Sequence, residues 1–256
     1  MNLQFNPNLA LKYTSPSQVA RVLTENWVKY NCYCPSCGSD KIEEYPNNKP
    51  VADFYCNNCL EDYELKSKYG KLGNKIIDGS YLTMIERIQS ESNPNFLFLT
   101  YDKVKLSVND FILIPKHFFV PEIIEKRKPL SENARRAGWT GCNINLMNIP
   151  SLGRIYLIKD SIVIDKEKVV NKLSKTVFLK NKNIEFKGWI LDILNCIEKI
   201  NKKVFTLKDI YKFEDELKLK HPFNNFIKEK IRQQLQLLRN MNVIEFKGSG
   251  SYKMIL

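Results

Sequence analysis

The chain has 256 residues, 40 Lys and Arg against 28 Asp and Glu, a formal net charge of +12 and 43% hydrophobic residues. That length allows one large domain or two smaller ones with their own cores, and the basic excess favours a polyanionic partner such as nucleic acid. No run approaches the roughly 18 consecutive apolar residues that a membrane helix needs, which excludes a helical membrane protein.

The first predicted element is a helix over residues 17–29, capped by Ser15 or Ser17, with Val19, Ala20, Leu23, Trp27 and Val28 at helical spacing. Residues 51–55 and 63–66 read as short strands. A helix is expected over 78–91 with Tyr81, Leu82, Ile85 and Ile88 on one face, followed by a buried strand over 95–101 built on Phe96-Leu97-Phe98-Leu99. Further strands are expected at 110–115 and 153–164, and the stretch 126–141 between them reads as a basic loop.

The polar joint Lys180-Asn181-Lys182-Asn183 divides the chain into expected domains of 1–181 and 182–256. Beyond it, 188–200 reads as an amphipathic helix. Thr206-Leu207-Lys208-Asp209 resembles a capping box, with Asp for Glu, opening a second helix to about residue 218. Asn224 or Asn225 can cap a third helix reaching about residue 240. Strands at 243–247 and 252–256 flank Gly248-Ser249-Gly250, a hairpin signal. Three helices followed by a terminal hairpin is the order of a winged helix.

The N-terminus, Met-Asn-Leu-Gln-Phe-Asn-Pro, lacks the basic and apolar regions of a signal peptide, so a cytoplasmic protein is expected. In a reducing compartment seven cysteines point to metal rather than disulfides. Cys34-x-x-Cys37 and Cys56-x-x-Cys59, separated by eighteen residues, have the spacing of a structural zinc site. Four thiolates close a tetrahedron and leave no place for water, so this zinc is structural rather than catalytic. Cys32, Cys142, Cys196, His117 and His221 stand apart and are read as structural residues.

A second constellation interleaves with the first. Glu64 and Lys66 leave the same face of a strand, and an antiparallel neighbour carrying Asp53 brings the two carboxylates together. Asp53, Glu64 and the backbone carbonyl of Leu65 suit Mg²⁺, a hard cation that takes oxygen ligands, and Lys66 can orient the attacking water and stabilise charge on phosphorus. The order of helix, carboxylate-bearing strands, helix and strand resembles the PD-(D/E)xK nuclease core, with two residues between Pro50 and Asp53 as a departure. The fold class is thus an α/β restriction-endonuclease-like core with an inserted four-cysteine zinc site, followed by a winged-helix domain.

Several segments, taken together, resemble the DpnI-type restriction endonucleases. They are Pro50-Val51-Ala52-Asp53-Phe54-Tyr55-Cys56, Glu64-Leu65-Lys66-Ser67-Lys68, Arg135-Arg136-Ala137-Gly138-Trp139 and the stretch from Lys228 to Gln236. The resemblance implies a methyl-directed type II site-specific deoxyribonuclease that uses Mg²⁺ to cut double-stranded DNA at GATC when its adenine is methylated, with both domains reading DNA. The last 76 residues carry 15 basic and 9 acidic side chains, half of the excess charge. On the third helix Lys228, Lys230, Arg232 and Arg239 can meet phosphates, while Gln233, Gln234 and Gln236 are of the type that reads adenine in the major groove. Trp139, beside Arg135 and Arg136, is the candidate methyl contact in the first domain. A homodimer is not required. The competing readings are a non-catalytic winged-helix regulator with a zinc-stapled sensor domain, and a nuclease acting on RNA or damaged DNA.

Overall fold

The computed structural model describes residues 1–46, 52–90 and 92–255. The first third of the chain forms α1 (Pro16–Asn31), β1 (Glu43–Glu44), β2 (Phe54–Tyr55), β3 (Asp62–Tyr69), β4 (Lys75–Ser80) and α2 (Tyr81–Gln89). The next part contributes β5 (Asn95–Asp102), β6 (Ser107–Ile114), β7 (Ile124–Lys126), β8 (Gly141–Asn145), β9 (Ile155–Lys159), β10 (Ile162–Val163) and α3 (Lys166–Ser174). The remainder is α4 (Ile184–Ile200), β11 (Val204–Thr206), α5 (Leu207–Tyr211), α6 (Glu214–Lys220), α7 (Ile227–Asn240), β12 (Ile244–Gly248) and β13 (Ser251–Met254).

A mixed sheet in the order β1-β2-β3-β5-β6-β9-β10 forms the centre, with β3 and β5 parallel and the other neighbours antiparallel. Strand β5 is covered on both faces, which is why it reads as an unbroken apolar run. Leu97 and Leu99 join the core beneath α1 and α3, while Phe96 and Phe98 join the core shared with α2, α4 and the small sheet β4-β8-β7. Cys32, Cys142 and Cys196 are buried as small apolar side chains. His117 is buried against Thr176 at 2.8 Å, and burial pulls its pKa down to about 3, so it serves the core as a neutral ring.

The C-terminal unit is a winged helix. The capping box expected at Thr206 and Asp209 is present, with both reciprocal hydrogen bonds. Strand β11 adds to the terminal hairpin to give a small sheet in the order β11-β13-β12. Helix α4 is buried along most of its length because it packs against α7 on one side and against the first unit on the other. Asn195 there donates to the Asn148 carbonyl at 2.8 Å, and Glu198 accepts from the backbone N–H and the hydroxyl of Ser151.

Several expected elements differ. Residues 78–80, expected in a helix, close β4 instead. Pairing with β8 claims them, and Ser80 then caps α2 by accepting from the Thr83 N–H. In α2 the buried residues are Met84 and Ile88, whereas Leu82 is 67% exposed. The strand expected over 153–164 is a hairpin, turned at Asp160 and Ser161, both with positive φ. The ends of the basic loop become β7 and β8, which pair with each other. The second C-terminal helix breaks between Tyr211 and Glu214, and the third is capped at Phe226, whose N–H bonds to the Asn224 side chain. Val51 of the expected strand over 51–55, Pro50 of the nuclease-core comparison, and residues 91 and 256 lie outside the described residues.

Glu61 joins three parts of the chain just ahead of β3. Its carboxylate meets Lys116 at 2.8 Å and Lys180 at 2.7 Å and accepts from Asn95 at 3.0 Å. Burial alone would raise its pKa, but the two ammonium groups dominate and hold it at about 2. A depressed carboxyl contributes stability that is present above its unfolded value, near 4.5, and is lost as pH falls toward 2. We therefore expect Glu61→Gln to be less stable than the wild type in urea at pH 6, with the gap closing as the pH is lowered through that window.

Candidate active site and zinc cluster

The two Cys-x-x-Cys turns have the same backbone. Gly38 N–H donates to the Cys34 carbonyl and Leu60 N–H to the Cys56 carbonyl, each at 2.9 Å. Both closing residues are left-handed, Gly38 with φ +79° and Leu60 with φ +58°. These turns aim their sulfurs at one point. Cys34 and Cys59 are 3.6 Å apart, as are Cys37 and Cys56, and all four sulfurs lie within 4.8 Å of one another. A zinc ion with bonds of about 2.3 Å to four sulfurs has a tetrahedron edge of roughly 3.8 Å, so the donor set and spacing fit. Burial would push the Cys37 thiol up, but hydrogen bonds with Ser39 and from Asn58 pull it down to about 6, toward the thiolate that zinc requires.

The cluster is attached to β3. The Tyr63 hydroxyl lies 3.1 Å from the Cys34 sulfur and 2.7 Å from the Ser36 hydroxyl. The next residue is Glu64. On the other side, Cys56 follows β2, and Asp53 precedes it.

Asp53 grips β3 on both sides of Glu64. Its N–H donates to the Tyr63 carbonyl at 2.9 Å, and its Oδ2 accepts from the Leu65 N–H at 2.7 Å. In a strand the N–H and C=O of one residue leave the same edge, so the Leu65 carbonyl also faces the Asp53 side. The alternation of β3 sends Leu65 and Ser67 toward α1, where Ser67 accepts from Thr24 at 3.1 Å, and sends Glu64 and Lys66 to the opposite face.

On that face Lys66 Nζ sits 2.5 Å from Glu64 Oε1 and 2.6 Å from Oδ1 of Asp78, and Arg87 from α2 reaches Glu64 Oε2 at 3.1 Å. Burial pushes the Glu64 carboxyl up; Lys66 and Arg87 oppose it and the Asp78 charge adds to it. For Lys66 burial acts downward, yet the two carboxylates win and hold the ammonium protonated. A cleft of about 520 Å³ lined by residues of α1, β3, β4 and β5 takes in Lys66, with the cations Arg21, Lys68 and Lys75 and the carboxylate of Glu25 among its lining. Asp78 and Arg87 were not among the expected site residues. Their sequence signal is slight: Asp78 falls in a segment that reads as helix, and Arg87 is one basic residue on an amphipathic helix.

The remaining candidates fall in two places. The loop with Arg135, Arg136 and Trp139 leads into β8, whose Cys142 pairs with Asp78. Arg136 lies over the Trp139 ring at 4.7 Å, and the ring packs so closely on Gly141 that a Cβ there would lie 3.0 Å from it. On α7, Arg232, Gln233, Gln236 and Lys228 are exposed, with Lys228 paired to Glu214 and Arg232 to Glu229. Lys230 lies over the ring of buried Trp189 at 5.5 Å. Gln234 departs from expectation: it is 1% exposed. It follows Ile231 by three residues and precedes Leu238 by four, so helical periodicity turns it into the core and away from a DNA-facing surface.

The structure is an α/β core that carries a four-cysteine cluster and a carboxylate-lysine strand, joined to a winged helix. The Dam-replacing family, DpnI, matches residues 1–182, and the Dam-replacing HTH domain matches 185–254. The chain belongs to the DpnI family, and that membership implies a DNA-binding restriction endonuclease. Among the described residues no helix is long and apolar enough to cross a membrane.

Metal removal tests the cluster. A strong chelator is expected to release about one zinc per chain and to lower the thermal midpoint. Independently, Leu60 is 81% exposed and left-handed, so Leu60→Gly should relieve strain and stabilise the protein by about 1 kcal/mol, as measured by urea denaturation of the metal-loaded form.

Proposed function

We propose that the protein is a Mg²⁺-dependent, methyl-directed endonuclease that cleaves double-stranded DNA at adenine-methylated GATC sites. The grip of Asp53 on β3 supports this reading most directly, because its N–H bonds to the Tyr63 carbonyl and its carboxylate to the Leu65 N–H, on either side of Glu64. Two carboxylates and a backbone carbonyl are the donor types a hard cation takes. Residues 1–181 form the nuclease domain and residues 182–256 the winged-helix domain in this reading.

Asp53, Glu64 and the Leu65 carbonyl would hold the Mg²⁺, which would supply Lewis-acid polarisation of the scissile phosphate and a more acidic water. Lys66 donates hydrogen bonds toward the attacking water and places positive charge where negative charge builds on the phosphoryl oxygens. In-line attack forms a bond from the water oxygen to phosphorus and breaks the bond to O3′. The products are a 5′-phosphate and, after proton uptake by the leaving oxygen, a 3′-hydroxyl.

DNA is held from two sides. Arg135 and Arg136 meet the backbone beside the nuclease centre, and the Trp139 face offers the apolar contact that a methyl group needs, since a methyl adds no hydrogen bond. On α7, Lys228, Lys230 and Arg232 meet phosphates while Gln233 and Gln236 face base edges. The zinc cluster fixes the loop between the catalytic strands. One chain carries one such centre, so cutting both strands takes either two centres or two visits.

A plasmid in adenine-methylated and unmethylated forms, incubated with Mg²⁺, tests the whole reading. Cutting is expected in the methylated form alone, and Asp53→Ala should slow it by roughly a hundredfold or more, on the scale of losing a principal electrostatic contact. Equal cutting of both plasmids would remove the methyl requirement, and undiminished cutting by Asp53→Ala would remove the site.

A further inference from the structure

We propose that Asp78 is the positioning residue that holds the Lys66 ammonium in its working place, an inference that rests on the catalytic reading of Asp53, Glu64 and Lys66. Lysine is a point charge on a flexible four-carbon stem. To orient a water it must be fixed by something other than the reacting groups.

Glu64 is poorly suited to that task alone. Its two oxygens are already divided between Lys66 and Arg87, and in the proposed reaction it also serves a divalent cation. A carboxylate shared with such a cation has less charge left to offer an ammonium, and the cation itself repels the lysine. Asp78 lies on a different strand from Glu64, on β4 rather than β3. It can keep its hold on Lys66 while Glu64 is engaged.

The fold aims Asp78 at this point. The pairing of β4 with β8 shifts register between Asp78 and Ser80, a bulge of the kind that redirects a side chain. The Gly79 N–H donates to Oδ1 at 2.7 Å, setting the carboxylate plane, and the same Oδ1 meets Lys66 at 2.6 Å. The side chain is 4% exposed, and Oδ2 has no hydrogen-bond partner among the described residues. Leaving a buried carboxylate oxygen unpartnered is costly. A residue retained only for stability would be better served by an amide or an apolar group, whereas a charge is what an ammonium requires.

The test compares Asp78→Asn with wild type in single-turnover cleavage at saturating enzyme and Mg²⁺, with DNA affinity measured separately in Ca²⁺. Asp78→Asn is expected to cut about a hundredfold more slowly, the scale of a misplaced reacting group. DNA affinity and the Mg²⁺ concentration for half-maximal rate should stay near the wild-type values. A near-wild-type rate would overturn the proposal, as would a loss of rate explained by weaker DNA binding. A large shift in the Mg²⁺ requirement would also overturn it, making Asp78 a metal ligand. If the variant fails to fold, a crystal structure of the wild type with Ca²⁺ and DNA decides: Lys66 must still be bonded to Asp78, and its departure sinks the idea. Asp53→Ala separates this failure from that of the catalytic reading, since undiminished cutting by that variant removes the site itself.

Discussion

The register between β2 and β3 is the constraint on which the site depends. Only two residue pairs, Phe54 with Tyr63 and Tyr55 with Asp62, form that ladder, and a two-residue strand cannot hold its own alignment in water. Two further ties make up the difference. The sulfur cluster clamps the chain directly after β2, and the Tyr63 hydroxyl fastens the same cluster to β3. Asp53 then completes the lock with its own hydrogen bonds to residues 63 and 65. The carboxylate of the site is thus also a structural bond, and a slip of one residue would turn Glu64 and Lys66 to the α1 side.

Charge is organised around that strand. Glu64, Lys66, Asp78 and Arg87 form a chain of alternating sign in a largely buried setting, where each ion would be costly alone and is tolerable only with its neighbours. In the proposed reaction a divalent cation at Glu64 would compete with Lys66 and Arg87 for that carboxylate, and Asp78 is proposed to keep the lysine in place. Arg21, Lys66, Lys68 and Lys75 give the adjacent cleft an excess of positive charge over its one carboxylate, Glu25.

The winged helix is joined to this core through α4. That helix contributes Trp189, Ile193 and Ile197 to one continuous apolar cluster that includes Ile144 and Leu146 from the first unit and Leu235 and Leu238 from α7. Burial on both sides, reinforced by Asn195 and Glu198, ties the position of α7 to that of the nuclease sheet.

Much was legible in the chain itself. The Cys-x-x-Cys pairs, the two-residue alternation of Glu64 and Lys66, the apolar run of β5 and the capping box at Thr206 are local patterns, and local geometry alone dictates what they become. What tertiary structure decided was everything that depends on a distant partner. Residues 78–80 have a helical pattern, yet pairing with β8 makes them a strand and delivers Asp78 to Lys66. Gln234 is polar, yet its place on the apolar stripe of α7 buries it. Sequence spacing sets which face of an element a side chain occupies; only packing determines what that face meets.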